Sequence, residues 1–231
     1  MTEKDFIKNY NKNDYDRPSV AVDLLIFTIM DNELKVLMVN RPEHPYKEYL
    51  SLPGVFVGID EDLDSAAKRG LAQKAGLKDI YLEQLYTWGQ VDRDPRMRII
   101  SISYYALVPA MKITIPNDSN FSPQFYSVDE ILDTNIQIAF DHRKIIEYGR
   151  ERIRNKTDYT DIAFELVPEE FTLPQLQRIY EILLCKKLYK ANFRKQISDK
   201  VVETGNMTTG DAYRPSKFFK YIANNSKEQE R

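Results

Sequence analysis

Apolar runs of strand length alternate with polar turns through the first half of the chain. Apolar and β-branched residues fill 19–30 and 34–39, and the polar residues 31–33 between them predict a hairpin of two paired strands. Two further runs of the same kind, 81–91 and 98–108, predict a second pair of strands. This half of the chain is therefore predicted to build most of a β-sheet.

Two segments show the 3.6-residue spacing of helices instead. Residues 65–75 place alanine and leucine on one face, after Asp62 or Asp64 as an acidic N-cap and before Gly76, which suits a left-handed helix end. Residues 141–156 repeat the pattern, and the aspartate at their start is predicted to cap the helix. Because strands and helices mix without regular β-α-β alternation, we predict the α+β class.

A different arrangement begins near residue 171. Thr172 can cap a helix that starts at Leu173, and a second, basic helix is predicted over 189–200. The strand-like segments 201–204 and 213–222 follow, on either side of a polar loop. A helix, a turn, a basic helix and a hairpin in this order are typical of a winged helix-turn-helix domain.

The net charge of −2 hides an uneven distribution. Residues 1–170 contain 21 basic and 29 acidic residues, which gives −8, whereas residues 171–231 contain 12 and 6, which gives +6. An acidic body with a basic tail is expected when only the tail binds a polyanion. The alternative is that the charges are unevenly distributed by chance over a solvated surface that binds no polyanion.

Composition narrows the class of protein. Hydrophobic residues make up 42% of the 231-residue chain and charged residues 29%, which favours a globular protein of one large or two modest domains. The apolar runs are too short to span a bilayer, and the polar residues 1–13 lack the apolar core of a secretory signal, so we expect a cytoplasmic protein without a membrane partner. One cysteine and two histidines exclude a structural zinc site, and no cofactor is expected.

Residues 52–77, LPGVFVGIDEDLDSAAKRGLAQKAGL, resemble the Nudix box, the loop-and-helix motif of diphosphate hydrolases. The frame of the motif agrees at five positions, which are Glu61, Arg69, Leu71, Gly76 and Leu77. The chain departs from the motif at its opening glycine and at three of its glutamates, and these positions hold Val55, Gly70, Gln73 and Lys74. In the motif, the two adjacent glutamates that Gln73 and Lys74 replace bind the metal.

Loss of these carboxylates argues against catalysis. Mg²⁺ prefers oxygen ligands, and an amide and an ammonium group in place of two carboxylates remove ligands and add a repelling charge. We therefore expect that the protein is not an enzyme and holds no metal. One alternative is an ADP-ribose hydrolase with relocated metal ligands among Asp60, Glu61, Asp62 and Asp64. Another is a module that binds a partner other than DNA.

The likeness extends beyond the box. Segments 87–109, 140–154 and 171–197 resemble the corresponding stretches of the Nudix-related transcriptional regulators, so the likeness covers nearly the whole chain. Members of that group join a Nudix-like sensor to a C-terminal winged helix, and they respond to ADP-ribose or, in regulators of sugar use, to arabinose. The resemblance implies a homodimeric DNA-binding repressor or activator that senses a small molecule.

The resemblance also implies the fold, its bounds and its partners. A Nudix-like α/β/α sandwich with a mixed sheet is expected over 19–156, and a winged helix-turn-helix domain over 157–231. Residues 1–18 are polar and are expected to form a flexible N-terminal arm. The expected partners are double-stranded operator DNA and an effector of the sugar or ADP-ribose type.

Six residues are candidates for the effector site, namely Arg93, Arg96, Arg98, Trp88, Glu61 and Lys74. The arginines could hold a phosphate or a sugar hydroxyl through forked donors, but the alternative is that Asp92, Arg93 and Asp94 form local ion pairs that shape a turn. Trp88 could stack on a ligand ring, and a place in the core is the favoured alternative. Glu61 and Lys74 could contact the ligand, and the alternative is that they are exposed to solvent and have no functional role. His142 is interpreted as a capping or packed residue.

The candidates for DNA binding lie in the basic tail. They are Lys190, Asn192, Arg194 and Lys195 on the second helix, and Arg214, Lys217 and Lys220 on the hairpin. At 100° per residue, Asn192 and Lys195 share one side of the helix, while Phe193 and Ile197 turn toward the core. Asparagine can read adenine and arginine can read guanine, whereas lysine contacts mostly phosphate. The hairpin would then follow the DNA backbone as a wing.

Overall fold

A computed structural model describes residues 1–78, 80–114, 122–208 and 215–222 of the chain. The strands in these ranges are β1 (Ser19–Met30), β2 (Glu33–Asn40), β3 (Leu50–Ser51), β4 (Gly54–Phe56), β5 (Leu82–Trp88), β6 (Ile99–Leu107), β7 (Gln124–Ser127), β8 (Phe171–Thr172), β9 (Val201–Met207) and β10 (Lys217–Tyr221). The α-helices are α1 (Glu3–Asn9), α2 (Leu63–Ala75), α3 (Val128–Asp133), α4 (His142–Tyr159), α5 (Leu173–Leu184) and α6 (Lys190–Ile197). Within the described ranges, these helices are too short or too polar to cross a membrane.

The larger sheet is mixed, as predicted. Its strand order is β3-β2-β1-β6-β5, with β4 paired to β1 and β7 paired to β2. β1 and β6 run parallel, and the other strand pairs are antiparallel. The predicted hairpin of β1 and β2 turns through Asp31 and Asn32, whose φ angles are 54° and 63°. Aspartate and asparagine tolerate this left-handed conformation better than most residues, so the polar turn fits the hairpin.

Helices cover both faces of this sheet. Successive side chains of β1 point to opposite faces, and apolar residues on both faces need a helix to bury them. Leu24 and Ile26 pack in one cluster with Leu71 of α2. Leu25 and Phe27 point to the other face and belong to the cluster that contains the apolar stripe of α4. The result is the α/β/α sandwich that the sequence predicts.

The ends of α2 follow the predicted signals. The carboxylate of Asp62 is the N-cap and accepts a hydrogen bond from the backbone N–H of Ser65 at 2.7 Å. Gly76 follows the helix at a φ of 64°, where an added Cβ would lie 2.5 Å from the carbonyl oxygen of Thr114. A residue with a side chain would be strained and would also clash, so glycine is required here.

α4 lies close to the sheet at Gly149. A Cβ atom on Gly149 would approach Leu25 Cδ2 to 2.6 Å and Phe27 Cζ to 3.4 Å. Both of these side chains are fully buried. The absence of a side chain at Gly149 therefore lets α4 pack directly on β1, and the start of α4 contributes to the site described below.

The C-terminal elements form the predicted winged helix-turn-helix. Thr172 and Gln175 make a capping box at the start of α5, with each side chain accepting from the backbone N–H of the other. Tyr180 of α5 packs on Phe193 of α6 with the ring centroids 5.4 Å apart. β8, β10 and β9 form a separate antiparallel sheet, in which β9 and β10 are the wing.

The two parts of the chain share one hydrophobic core. Phe164, in the 3₁₀-helix Ile162–Leu166, packs on Tyr180 of α5 with the ring centroids 6.4 Å apart. The same cluster includes Leu25 of β1 and Ile197 of α6. The 3₁₀-helix between α4 and α5 is thus largely buried. The domain boundary at residue 157 stays a prediction.

The N-terminal arm contains α1, which the sequence pattern did not indicate. The Thr2 side chain and Asp5 form a capping box at its start. None of its residues is buried. The helix therefore depends on local hydrogen bonds and not on packing.

Candidate effector cavity and candidate DNA-binding surface

A cavity of about 500 Å³ lies between the first half of β1, the loop after β2, the end of α2 and the start of α4. Three of the six candidate effector residues line it, namely Lys74, Arg93 and Arg96. The other three, Glu61, Trp88 and Arg98, are not among its lining residues. Arg41 adds a further cationic side chain, which the sequence did not mark because it lies in an irregular loop.

Arg93 is the buried charged centre of this cavity. Its guanidinium donates to the two carboxylate oxygens of Asp141, at 3.0 and 2.7 Å, and to Asp23 at 3.2 Å. Burial acts to lower the pKa of Arg93, but the hydrogen bonds and charges of Asp141 and Asp23 outweigh it and hold the pKa above its usual value. The alternative of local hydrogen-bonded ion pairs with Asp92 and Asp94 does not hold for Arg93, because the carboxylates that accept from it lie on β1 and at the start of α4.

The same contacts change the role predicted for Asp141. Asp141 is the N-cap residue of α4, but its side chain makes no capping hydrogen bond. Its carboxylate oxygens accept from Arg93 instead, so the predicted side-chain cap is wrong. Arg93 ties the start of α4 to β1 through Asp23, whose carboxylate also accepts from the Ser101 hydroxyl at 2.5 Å.

Arg96 and Arg41 lie beside the same aromatic ring, Phe140. Arg96 pairs with Asp94 through hydrogen bonds of 3.0 and 2.8 Å, which is the local ion pair of this turn. The guanidinium carbon of Arg41 lies 4.7 Å from the Phe140 ring centroid, and that of Arg96 lies 6.0 Å from it. Burial and the charge of Arg96 lower the pKa of Arg41. Two like charges are therefore held near each other at the cavity wall.

Phe140 itself has a strained backbone. Its φ of 56° is left-handed, and such a conformation costs on the order of 1–3 kcal/mol for a residue with a side chain. The Phe140 ring contacts Tyr46, with the centroids 4.9 Å apart, and the Arg41 guanidinium. Strain of this kind clusters at functional sites. The sequence could not reveal it, because tertiary contacts set the backbone angle.

His142 lines the cavity as a buried, neutral side chain. Its Nδ1 accepts a hydrogen bond from the backbone N–H of Leu52 at 2.9 Å, so the ring proton lies on Nε2, which is 3.7 Å from Asp23 Oδ1. Burial lowers the pKa of His142. The interpretation of His142 as a packed residue agrees with these contacts, although its place in the cavity was not predicted.

Glu61 shapes the loop before α2. Arg69 donates to its two carboxylate oxygens, each at 2.8 Å, and the N–H of Gly58 donates to one of them at 3.1 Å. Arg69 also donates to the carbonyl of Phe56, so the pair connects β4 to α2. The hydrogen bonds from Arg69 and Gly58 lower the pKa of Glu61 to about 2.

We expect Glu61→Gln to lower the melting temperature at neutral pH and to matter less in acid. The pKa of Glu61 is about 2 in the folded chain and 4.5 ordinarily, so its stabilising effect is present above pH 4.5 and is lost as the pH falls toward 2. Thermal denaturation of both proteins across this pH range measures the difference. Glu147→Gln, on the exposed side of α4, is the control. If the difference in melting temperature between the wild type and Glu61→Gln did not change with pH, the role assigned to the Glu61 charge would be contradicted.

Lys74 reaches the cavity from the last turn of α2. Burial lowers its pKa. One turn earlier, Gly70 packs against the sheet, where an added Cβ would lie 2.9 Å from Leu24 Cδ1, and Gln73 is exposed. Across the described part of the chain, no group of three or more histidine, cysteine, aspartate or glutamate side chains is placed to hold a metal ion.

Trp88 and Arg98 have contacts outside the cavity. The indole N–H of Trp88 donates to the Ser103 hydroxyl at 2.9 Å, and its ring packs against Tyr86 and Tyr148, with centroid distances of 5.1 and 5.9 Å. This position joins β5 to α4, in agreement with the core alternative. Arg98 is exposed and donates to the carbonyl of Gln90 at 2.9 Å.

α6 presents a polar face with four candidate residues for DNA binding. Lys190, Asn192, Arg194 and Lys195 are all exposed, whereas Phe193 and Ile197 are buried, as the helical spacing predicts. In the described ranges, the side chains of these four residues make no hydrogen bond or ion pair. Their donors are therefore available to a ligand, which is the arrangement that a recognition helix needs.

The wing lysines differ from those on α6. Lys217 pairs with Glu203 of β9 at 2.9 Å, and Lys220 pairs with Glu169, just before β8, also at 2.9 Å. Both lysines thus have acidic partners that DNA phosphates would have to replace. Arg214, the third predicted wing residue, lies outside the described residues.

The sandwich with its cavity and the helix-turn-helix with its cationic face define a sensor-like Nudix domain joined to a winged helix. The profile of the NUDIX domain family matches residues 19–148, and that of the NrtR DNA-binding winged helix domain matches residues 163–221. The chain therefore belongs to the Nudix-related transcriptional regulators of the NrtR family, as the sequence predicts.

Two similar proteins match this chain over most of its length, and a separate structure of the Nudix domain of one of them covers part of it. It is 33% identical to the ADPR-responsive transcriptional repressor NtrR of Acinetobacter baylyi, over 95% of this chain and 88% of that protein. Shewanella oneidensis NrtR, solved in complex with a 27mer DNA, has a TM-score of 0.78 and 34% identity, with 88% of this chain and 93% of that chain covered. The NUDIX domain of the same protein, solved with ADP ribose, has a TM-score of 0.59 and 34% identity, with 66% and 99% covered.

Proposed function

We propose that this protein is a transcriptional regulator whose Nudix domain binds ADP-ribose and whose winged helix binds operator DNA. The observation that carries the proposal is the 33% identity to an ADPR-responsive repressor over 95% of the chain. The aligned region spans both the Nudix domain and the winged helix of this chain. The sequence left ADP-ribose and arabinose open as effectors. The similar proteins support ADP-ribose, and none of those described above supports arabinose.

The chemistry of the cavity supports an anionic ligand. A volume of about 500 Å³ is in the range of pockets that enclose small-molecule ligands. Besides the buried Arg93, which is paired with Asp23 and Asp141, Arg41, Lys74 and Arg96 bring three further cationic groups to its lining. Forked guanidinium donors match phosphate oxygens, so the lining favours a diphosphate over an uncharged sugar.

α4 gives the two domains a direct physical connection. Its first residue, His142, lines the cavity, and Arg150 further along donates to the carbonyls of Leu183 at 3.0 Å and Ile182 at 3.3 Å. These carbonyls belong to the last turn of α5, and Arg150 also bonds the Cys185 sulfur in the turn toward α6. A ligand that shifts the start of α4 would move the helix-turn-helix, provided that it binds two arrangements with different affinity.

The proposed regulator acts as a homodimer. A winged helix reads a short stretch of one major groove, and two copies reach half-sites separated by about one DNA turn, on the order of 34–36 Å. A change in the distance between the two α6 helices would then change operator affinity.

The proposed regulator does not hydrolyse its effector. Asp62 caps α2, Glu61 is bound by Arg69, and Asp64 accepts from the Tyr104 hydroxyl at 2.6 Å. Three of the four carboxylates of the alternative hydrolase site, all except Asp60, therefore already have partners in the fold. The test is incubation with ADP-ribose and Mg²⁺ or Mn²⁺, followed by chromatography of the nucleotides. Formation of AMP that stops on Glu61→Gln would establish the hydrolase instead.

We expect ADP-ribose to change the affinity of the full-length protein for DNA taken from upstream of its own gene. Allosteric coupling of this type changes affinity by about 5- to 150-fold. Fluorescence anisotropy with a labelled duplex measures the affinity with ADP-ribose, with arabinose and with neither. A shuffled duplex of the same length is the control for specific binding. An effect of arabinose without an effect of ADP-ribose would refute the proposed effector.

A further inference from the structure

The residues of the Nudix box do not fit a divalent cation. At position 70 the chain has glycine, and an added Cβ would lie 2.9 Å from Leu24 Cδ1 and 3.3 Å from Val55 Cγ2, so this packed position offers no donor. Gln73 is exposed, and Lys74 brings an ammonium group to the cavity instead of a carboxylate. An ammonium group repels a divalent cation and offers it no oxygen ligand.

Two of the three carboxylates that line the cavity, Asp23 and Asp94, are already paired with arginine. Asp23 accepts from Arg93 and from the Ser101 hydroxyl, and Asp94 accepts two hydrogen bonds from Arg96. Glu43 lines the cavity as an exposed residue. A cation would have to compete with these arginines for its ligands, which agrees with the finding that no cluster of three suitable ligands exists in the described residues.

Cationic side chains approach the same space from three elements. Arg41 comes from the loop after β2, Arg96 from the loop before β6, and Lys74 from the last turn of α2. Within the described ranges, Arg41 makes one side-chain hydrogen bond, from Nε to the carbonyl of Pro45 at 2.8 Å, which leaves its two terminal nitrogens as donors. Arg96 bonds Asp94 through Nε and Nη2, so its Nη1 remains a donor.

The environment of Lys74 favours an anion beside it. Lys74 is partly withdrawn from water, and burial lowers its pKa because the charged form loses hydration. A phosphate oxygen in the cavity would accept a hydrogen bond from this ammonium group. Hydrogen bonds in which both groups are charged are stronger than neutral ones, so this contact would contribute strongly to binding.

We infer that the cavity holds a diphosphate ligand without a divalent cation, through Arg41, Arg96 and Lys74. The inference rests on the proposed function, since ADP-ribose is the diphosphate in question. It adds that the ammonium of Lys74 and the two guanidinium groups supply the positive charge that a metal ion supplies in a hydrolase. Mg²⁺ bound to the free ligand would neutralise its diphosphate and would therefore weaken binding to this cavity.

Isothermal titration of ADP-ribose into the full-length protein tests the inference. Each protein is titrated once with excess EDTA and once with excess Mg²⁺. The variants are Lys74→Met, which removes the cavity ammonium, and Lys68→Met, which removes an exposed charge from the same helix outside the cavity. Melting temperatures of both variants show whether they fold.

We expect the wild type to bind ADP-ribose in EDTA at least as tightly as in Mg²⁺. Lys74→Met should weaken binding in EDTA by about tenfold or more, as loss of a charge-assisted hydrogen bond does, and Lys68→Met should leave it unchanged. Binding that disappears in EDTA and returns with Mg²⁺ would overturn the inference while leaving the proposed function intact. Equal affinities of folded Lys74→Met and Lys68→Met would also overturn it. Absence of binding in both media would refute the proposed function itself.

Discussion

Arg93→Met is expected to lower the free energy of unfolding by about 3–5 kcal/mol, because it leaves two buried carboxylates without their positive partner. Only 5% of the Arg93 side chain is exposed, and 10% of each of the Asp23 and Asp141 side chains. Methionine restores much of the volume but none of the charge, so Asp23 and Asp141 would repel each other in a medium of low polarity. The start of α4 would lose its connection to β1.

Urea denaturation followed by circular dichroism measures this loss. Arg98→Met is the matched control, because Arg98 is exposed and its side chain hydrogen-bonds the Gln90 carbonyl rather than a buried carboxylate. We expect the control to change the free energy of unfolding by no more than about 0.5 kcal/mol. If Arg93→Met were as stable as Arg98→Met, the ion-pair network would not hold the cavity together.

The second large effect is expected on α6, where two substitutions should weaken DNA binding in different ways. Asn192→Ala should cost about 1–3 kcal/mol per half-site on the operator and little on unrelated DNA, because a side-chain amide reads a base edge. Lys195→Ala should weaken binding to both duplexes and reduce the slope of the salt dependence by about 0.9 for each phosphate that it no longer neutralises. The two residues are exposed on one side of α6, so neither change should disturb the core.

Anisotropy titrations at several salt concentrations distinguish the two substitutions. Lys68→Ala removes the same charge as Lys195→Ala from an exposed position on α2, in the Nudix domain, and should change neither the affinity nor the slope. Lys217→Ala is expected to matter less than Lys195→Ala, because Lys217 already has Glu203 as its partner. Unchanged salt dependence in Lys195→Ala, or loss of binding by Asn192→Ala on all sequences alike, would contradict the role assigned to α6.

The elements that the sequence predicted correctly are those with local causes. The β1–β2 hairpin follows from the turn at Asp31 and Asn32, and α2 runs between the cap at Asp62 and the left-handed Gly76. The order of helix, turn, helix and wing likewise follows from spacing and from the capping box at Thr172. Each of these signals acts between residues that are a few positions apart, so they can be recognised without a tertiary structure.

The candidate site was predicted only in part. Lys74, Arg93 and Arg96 do line one cavity, but Arg41 and Phe140 were missed. Arg41 lies in an irregular loop, and the left-handed φ of Phe140 is imposed by its surroundings. Neither position carries a periodicity or a spacing that points to a site.

By itself, the sequence determined the order of the elements, the family, and the separation of an acidic body from a basic tail. Only the tertiary structure decided which charges meet. The Arg93 guanidinium does not hydrogen-bond to the aspartates beside it in the turn. It pairs with Asp23 and Asp141, which are 70 and 48 residues away. The physical reason is that a buried guanidinium is costly unless buried carboxylates pair with it. The packing of α4 on β1 determines where those carboxylates lie.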